Sequence, residues 1–95
     1  MDNTTNNEPK QNYIFIYEYD DKISIIENAS SFKDAIYKQC EEEGLTSLSG
    51  NLFGKALKGF DNNDIDGIVS LYNHFSDYTL YSVFLIDKQI YCKEE

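Results

Sequence analysis

Residues 12–19 read NYIFIYEY, and their side chains alternate in chemical type with a period of two. Successive side chains of an extended strand point to opposite faces of a sheet, so this period predicts a β-strand. One face of the strand is aromatic and the other is built mainly from isoleucine. The aromatic face comprises Tyr13, Phe15, Tyr17 and Tyr19, and the opposite face carries Ile14, Ile16 and Glu18.

Two hairpins are predicted, one towards each end of the chain. Residues 20–22 (DDK) predict a turn that joins the first strand to a second strand at 23–27 (ISIIE). Residues 78–86 (YTLYSVFLI) predict a strand with apolar side chains on both faces, and 89–93 (QIYCK) its partner. A strand with two apolar faces belongs in the centre of a sheet.

Three helices are predicted between the hairpins. The first begins at Ser31, which forms a capping-box-like pair with Asp34, and it ends at Gly44. The second is weakened by Gly54, and the third has the clearest apolar stripe. The predicted helices cover residues 32–43, 48–58 and 64–75.

The order of elements is therefore ββαααββ. This order predicts an α+β fold, in which about three helices pack on a four-stranded antiparallel sheet made of two hairpins. Residues 12–95 are expected to form a single acidic domain, since their number is typical of one small core. Residues 1–11 contain no apolar side chain after Met1, which predicts a disordered polar tail.

The chain is strongly acidic, with 17 Asp and Glu against 8 Lys, no Arg, and a formal net charge of −9. Proteins that bind nucleic acids neutralise phosphates with Lys and Arg, so direct binding of nucleic acid is not expected. Binding to an anionic membrane is disfavoured by the same field. A partner attracted by charge would be a basic protein, although a charge excess that only maintains solubility explains the composition equally well.

Two acidic clusters are candidates for contact with such a partner. Glu41, Glu42 and Glu43 lie in the last turn of the first predicted helix, where the helix dipole disfavours anions. Charges placed against local stability are candidates for function. The second cluster, at the start of the third helix, comprises Asp61, Asp64 and Asp66.

The residues around the second cluster also match the first ligand positions of a calcium-binding EF-hand loop. Residues 62–73 carry oxygen ligands and a glycine at matching places, but Asn73 stands where the motif requires a bidentate Glu. The helical pattern of 64–75 conflicts with a coordinating loop. Capping of the third helix by Asn63 or Asp64 accounts for more of these residues, so no metal or cofactor is predicted.

The aromatic face of the first strand has two possible positions. If the isoleucine face packs on the helices and the aromatic face stays open, Tyr17 and Tyr19 would serve as apolar anchors for a partner, because tyrosine is enriched at binding hot spots. If the helices cover both faces of the sheet, the same aromatic residues belong to the core.

No catalytic constellation is recognisable, so the chain is not expected to be an enzyme. His74 is the only histidine, and neither Cys40 nor Cys92 lies in a nucleophile motif. Residues 50–55 (GNLFGK) lack the spacing of a phosphate-binding P-loop. Two isolated thiols without a signal peptide predict a cytoplasmic protein, in the host cytoplasm if the chain is phage-encoded.

These observations predict a protein that binds another protein. The favoured hypothesis is a small acidic inhibitor that mimics nucleic acid and occupies the basic surface of a nuclease or another nucleic-acid-handling enzyme. Anti-CRISPR, anti-restriction and nuclease-immunity proteins are of this kind, by analogy of size and charge only. The alternatives are a homo-oligomeric scaffolding domain that dimerises through its aromatic sheet face, and a small-molecule or calcium sensor that uses residues 61–67.

Overall fold

The computed structural model of the protein describes residues 10–19 and 21–93. Its elements follow the order ββαααββ, and the predicted α+β class is confirmed. A short 3₁₀ helix stands between the first two α-helices. The elements are β1 (Gln11–Tyr17), β2 (Ile23–Ala29), α1 (Phe32–Glu43), the 3₁₀ helix (Leu45–Gly50), α2 (Leu52–Leu57), α3 (Ile65–Phe75), β3 (Leu80–Leu85) and β4 (Lys88–Cys92).

The four strands form one antiparallel sheet in the order β2-β1-β3-β4. Each hairpin contributes one central strand and one edge strand. The prediction that the apolar run at 78–86 is central is confirmed, because β3 pairs with both β1 and β4. The first residue of the sheet is Gln11, which the sequence assigned to a tail at residues 1–11. The rest of that predicted tail, apart from Lys10, lies outside the described residues.

The helices pack on the aromatic face of β1. Tyr13, Phe15 and Tyr17 are each at most 5% exposed, and the ring centroid of Phe32 on α1 lies 6.1 Å from those of Tyr13 and Phe15. Of the two positions left open for the aromatic face, the exposed one is therefore wrong, and so is the prediction that Tyr17 is an exposed anchor. The ring of Tyr17 instead packs 6.3 Å from that of Tyr72 on α3.

The opposite face of the sheet carries the isoleucines. Directly opposed residues of an antiparallel pair share a face, so the register places Ile25 beside Ile14 and Ile23 beside Ile16. Ile23 is 61% exposed and Ile25 64% exposed. Phe84 of β3 opposes Ile14 on the same face. We call this surface the open sheet face; it comprises Ile14, Ile16, Ile23, Ile25 and Phe84.

Local signals set the ends of α1. The Ser31 side chain accepts a hydrogen bond from the Asp34 N–H at 3.1 Å, as the predicted cap requires. Asp34 in turn accepts the N–H of Ser30 at 2.9 Å. Gly44 ends the helix with a φ of +81°, a left-handed conformation that glycine adopts without steric cost.

The second predicted helix, at 48–58, is corrected to a 3₁₀ helix followed by the shorter α2. The break is at Asn51, which has a φ of +64° and accepts the N–H of Gly54 at 3.0 Å to cap α2. A Cβ at Gly54 would lie 2.5 Å from the Asn51 side chain. This glycine therefore permits the cap that starts the helix, although it lowers the helix propensity.

Among the described residues, no helix has both the length and the apolar character needed to cross a membrane.

Ile86 is a strained residue in the two-residue turn between β3 and β4, with a φ of +59°. The favoured hairpin turns place Gly, Asn or Asp at such a position, because left-handed backbone is costly for a β-branched residue. The side chain is 67% exposed, so its removal loses little burial. We expect Ile86→Gly to raise the free energy of unfolding by about 1 kcal/mol in urea denaturation.

The matched control is Ile86→Val, which retains the β-branch and should leave stability unchanged. A loss of stability in the glycine variant would show that contacts of the Ile86 side chain outweigh the strain.

Candidate functional site at the acidic end of the helix layer

Helices α1 and α3 run side by side in the same direction. At their C-terminal ends, Glu43 accepts a hydrogen bond from Ser76 at 2.8 Å. Before their N-terminal ends, Ser31 and Asn62 line a common cleft. Because the 12 residues of α1 span roughly 18 Å, the two acidic clusters are separated by about the length of a helix. They do not form a single contiguous anionic zone.

The aspartates at the start of α3 have local structural roles. Asp64 is the N-cap and accepts the N–H of Gly67 at 3.1 Å, which confirms the predicted capping. Asp61 accepts the N–H of Asn63 at 2.8 Å in the preceding turn. Asp66 lies exposed in the first turn, where the helix dipole favours an anion. These three carboxylates therefore stabilise the start of α3.

The predicted alternative of a calcium loop conflicts with this geometry. Helix α3 already begins at Ile65, within the segment that would have to coordinate the ion. Asn73, at the last ligand position, accepts the N–H of Leu80 at 3.0 Å. Within residues 10–19 and 21–93, no group of three or more His, Cys, Asp or Glu is placed to hold a metal ion.

Glu43 lies at the centre of a partly buried hydrogen-bond network. Its Oε2 accepts from the Tyr72 hydroxyl and, at 2.8 Å, from Gln39 Nε2. Its Oε1 accepts from Ser76 Oγ. The Tyr72 oxygen is also 2.9 Å from the hydroxyl of Tyr17, which must be the donor because Tyr72 has one proton and gives it to Glu43. Glu43 is therefore a structural residue, and its three donors offset the unfavourable helix dipole.

The same network changes the acidity of its buried members. Desolvation raises the pKa of Tyr17 and, together with the hydrogen bond to Glu43, that of Tyr72. Burial also raises the pKa of the Cys40 thiol, and the nearby charge of Glu43 adds to the effect. All three groups stay protonated well above their ordinary range in the folded protein.

Glu41 and Glu42, the other members of the first cluster, remain exposed at the C-terminal end of α1. Among the described residues the only ion pair joins Glu18 to Lys93, so neither of these carboxylates is neutralised there. Glu42 lines a cleft of about 320 Å³ together with Asp77. We call Glu41, Glu42 and Asp77 the acidic end.

The cleft beside the acidic end has two further features. The side chain of Gln39 in its wall is 2% exposed, and its Oε1 accepts no hydrogen bond from the described residues. Lys22 lies across the cleft, with its Nζ 4.5 Å from the ring centroid of Tyr78. A cation over an aromatic face is attracted by the ring, so this lysine is held against Tyr78.

Tyr19 and Tyr78 are exposed aromatic residues of this region. Tyr19 lies in the turn between β1 and β2, three residues before Lys22, and is 68% exposed. Of the eight residues that the sequence predicted for partner binding, the structure thus leaves Glu41, Glu42 and Tyr19 accessible at one end of the molecule. Asp77 and Lys22 were missed because only the tertiary fold brings them to the end of α1.

No family model matches the chain, and neither the curated proteins nor the solved structures include a protein that is significantly similar to it.

The raised pKa values predict that the protein loses stability at alkaline pH. The unfolded chain releases protons near the ordinary values of 9.0 for Cys40 and 10.0 for Tyr17 and Tyr72, whereas the folded chain retains them. The unfolded state then binds fewer protons, so the free energy of unfolding should fall with rising pH, by up to about 1.4 kcal/mol per pH unit for each group. Urea denaturation from neutral pH to about pH 11 measures this slope.

Tyr17→Phe and Tyr72→Phe should each make the alkaline slope shallower. The control is Tyr19→Phe, since it removes a hydroxyl from a side chain that lies exposed outside the core. A flat profile in the wild-type protein, or an equally shallow slope in the control, would contradict the assignment.

Proposed function

We propose that this chain is a non-enzymatic domain that binds a basic protein and inhibits it, as a mimic of nucleic acid. The proposed target is a nuclease or another nucleic-acid-handling enzyme, whose groove is positively charged to accept phosphate. The observation that carries the proposal is the acidic end, where Glu41 and Glu42 are exposed and form no ion pair with any described residue, and where Glu42 lines a cleft with Asp77.

The position of these carboxylates strengthens their field. The C-terminal end of a helix carries about half a negative charge, so Glu41 and Glu42 add to the potential of α1 instead of cancelling it. This arrangement lowers the stability of the helix but increases the attraction for a cation. The overall charge of −9 steers a basic partner towards the molecule from a distance.

Tyr19 supplies an apolar contact next to the charges. Charged groups set the rate and the orientation of association, whereas buried aromatic residues provide much of the affinity. Tyr19 projects from the turn that also places Lys22 at the cleft, so a partner that covers the cleft would reach it. The proposed surface thus combines the anionic groups of the acidic end with accessible aromatic side chains.

The proposed location is the cytoplasm, or the host cytoplasm if the chain is phage-encoded, since a nucleic-acid-handling target works there. Cys40 and Cys92 are both free thiols, as a reducing compartment requires. Such an inhibitor belongs functionally with anti-CRISPR, anti-restriction or nuclease-immunity proteins, and it needs no cofactor.

The test removes the charge of the acidic end while preserving its shape. We expect the triple variant Glu41→Gln, Glu42→Gln and Asp77→Asn to bind a basic partner captured from the native host at least tenfold more weakly, equivalent to about 1.4 kcal/mol or more. Binding of the wild type should fall steeply with added salt and be displaced by double-stranded DNA. Calorimetry on the purified pair measures the affinity, and an assay of the partner's nucleic-acid activity measures inhibition.

The matched control removes the same charge elsewhere, through Glu27→Gln, Asp66→Asn and Asp87→Asn. These residues are exposed and lie outside the acidic end. Equal losses of affinity in the two triple variants would show that the effect depends on net charge alone, and would contradict a defined binding site. A partner that is not displaced by DNA would contradict mimicry.

A second candidate function is a homodimeric scaffold, and the open sheet face favours it. The five side chains that define it are apolar on a molecule of net charge −9, and Ser82 and Gln89, which share this face, are uncharged. The interface predicted from the sequence was the aromatic face, which the helices cover; the isoleucine face takes its place. Four strands about 4.8 Å apart and five residues long present roughly 300 Å² of flat sheet, well below the about 800 Å² per partner of a standard interface. A dimer would therefore be weak.

Sedimentation over a wide range of concentration tests this second function. We expect a monomer at micromolar and a dimer at millimolar concentration, with Ile23→Thr and Ile25→Thr together abolishing the dimer while retaining β-branched residues. Ile86→Thr is the control, because Ile86 is equally exposed but lies in a turn. A monomer at every concentration would exclude the scaffold.

A further inference from the structure

A second cleft lies at the other end of α1, and its charged lining residues are mainly basic instead of acidic. It has a volume of about 660 Å³ and lies between the start of α1, α2 and the segment before α3. Three of the eight lysines of the chain line it. We call it the lysine cleft, after Lys33, Lys55 and Lys58.

The lysine cleft is a locally cationic site on an acidic protein. Asp34 is the single acidic residue in its lining, and the Asp34 carboxylate accepts hydrogen bonds from the N–H and the hydroxyl of Ser30. Lys33 lies in the first turn of α1, where the positive end of the helix dipole disfavours a cation. The positive charge of Lys33 therefore adds to the positive potential at this end of α1, as the carboxylates of the acidic end add to the negative potential at the other end.

The ammonium groups retain donors for a ligand. Lys33 Nζ donates to the carbonyl oxygens of Phe60 at 2.7 Å and Lys58 at 3.3 Å, which leaves one of its three protons. These two bonds also fix the position of its ammonium group. Lys55 and Lys58 are exposed and form no ion pair with any described residue.

The wall of the cleft is organised by hydrogen bonds. Asn51 Nδ2 donates to the Tyr37 hydroxyl at 3.2 Å, while Asn51 Oδ1 caps α2 through the N–H of Gly54. Tyr37 and the largely buried Leu57 both line the cleft. The cleft therefore combines cations with an aromatic and an aliphatic contact, in a volume within the range of small-molecule sites.

We propose that the lysine cleft binds a small phosphorylated molecule. The three ammonium groups would hold the phosphate, and Tyr37 and Leu57 would contact the organic part. A nucleic-acid strand is excluded as the ligand, because the remaining surface of a protein with a charge of −9 would repel its extended phosphates. A small anion that fits within the cleft experiences mainly the local positive charge. This inference is independent of the proposed binding of a basic protein.

The probes are inorganic pyrophosphate and adenosine diphosphate, which share a diphosphate and differ by an organic group. We expect both to bind in calorimetry and to shift the amide resonances of α2 and of the start of α1, with tighter binding of adenosine diphosphate. Lys55→Gln and Lys58→Gln together should weaken both ligands at least tenfold. Lys33 is left intact because its bonds hold the segment before α3.

The matched control is the pair Lys10→Gln and Lys88→Gln, which removes two exposed lysines outside the cleft. Absence of saturable binding at millimolar ligand, resonance shifts spread over all lysines, or an equal loss in the control pair would each overturn the proposal. Equal affinity for the two probes would overturn the role given to Tyr37 and Leu57. Loss of protein binding at the acidic end would leave these results unchanged, so the two proposals fail separately.

Discussion

The hydrogen-bond chain from Tyr17 through Tyr72 to Glu43 is the interaction on which the remaining structure depends. It joins β1, α3 and α1, three elements that are distant in sequence, and it closes the polar end of an otherwise apolar core. A buried phenol without a partner costs free energy, so the hydroxyl of Tyr17 can enter the core only where Tyr72 receives it. The carboxylate of Glu43 completes the chain and aligns the C-terminal ends of α1 and α3.

These hydrogen bonds also determine which carboxylate at the end of α1 is partly buried and which remain exposed. Glu43 is drawn inward as an acceptor for three side-chain donors, whereas Glu41 and Glu42 stay in solvent. The same helix carries Lys33 in its first turn, within a cationic cleft. Both ends of α1 thus have charges that the helix dipole disfavours, and the helix is stabilised instead by the apolar residues that it buries. Unfavourable charges at both ends of α1 support the proposal of a binding site at each end, because stability is commonly traded at functional sites.

The two faces of the sheet also differ in their environment. The aromatic face is buried by α1 and α3, and the isoleucine face has no covering element among the described residues. Aromatic side chains bury more area than isoleucine, and the buried hydroxyl of Tyr17 finds a hydrogen-bond partner in Tyr72 on α3. Because the aromatic face forms the core, the isoleucines of the opposite face remain exposed.

The sequence by itself determined the features that depend on near neighbours. The order ββαααββ, the central position of β3, and the helix boundaries at Ser31, Gly44 and Asp64 follow from alternation, turn residues and caps that act over a few residues. Only the tertiary structure decided which face of β1 is buried, because both faces are apolar and local patterning favours neither. It also decided that Tyr17 and Glu43 are structural while Glu41 and Glu42 are exposed, because their hydrogen-bond partners lie on other elements and no local pattern encodes contacts between residues so far apart in the chain.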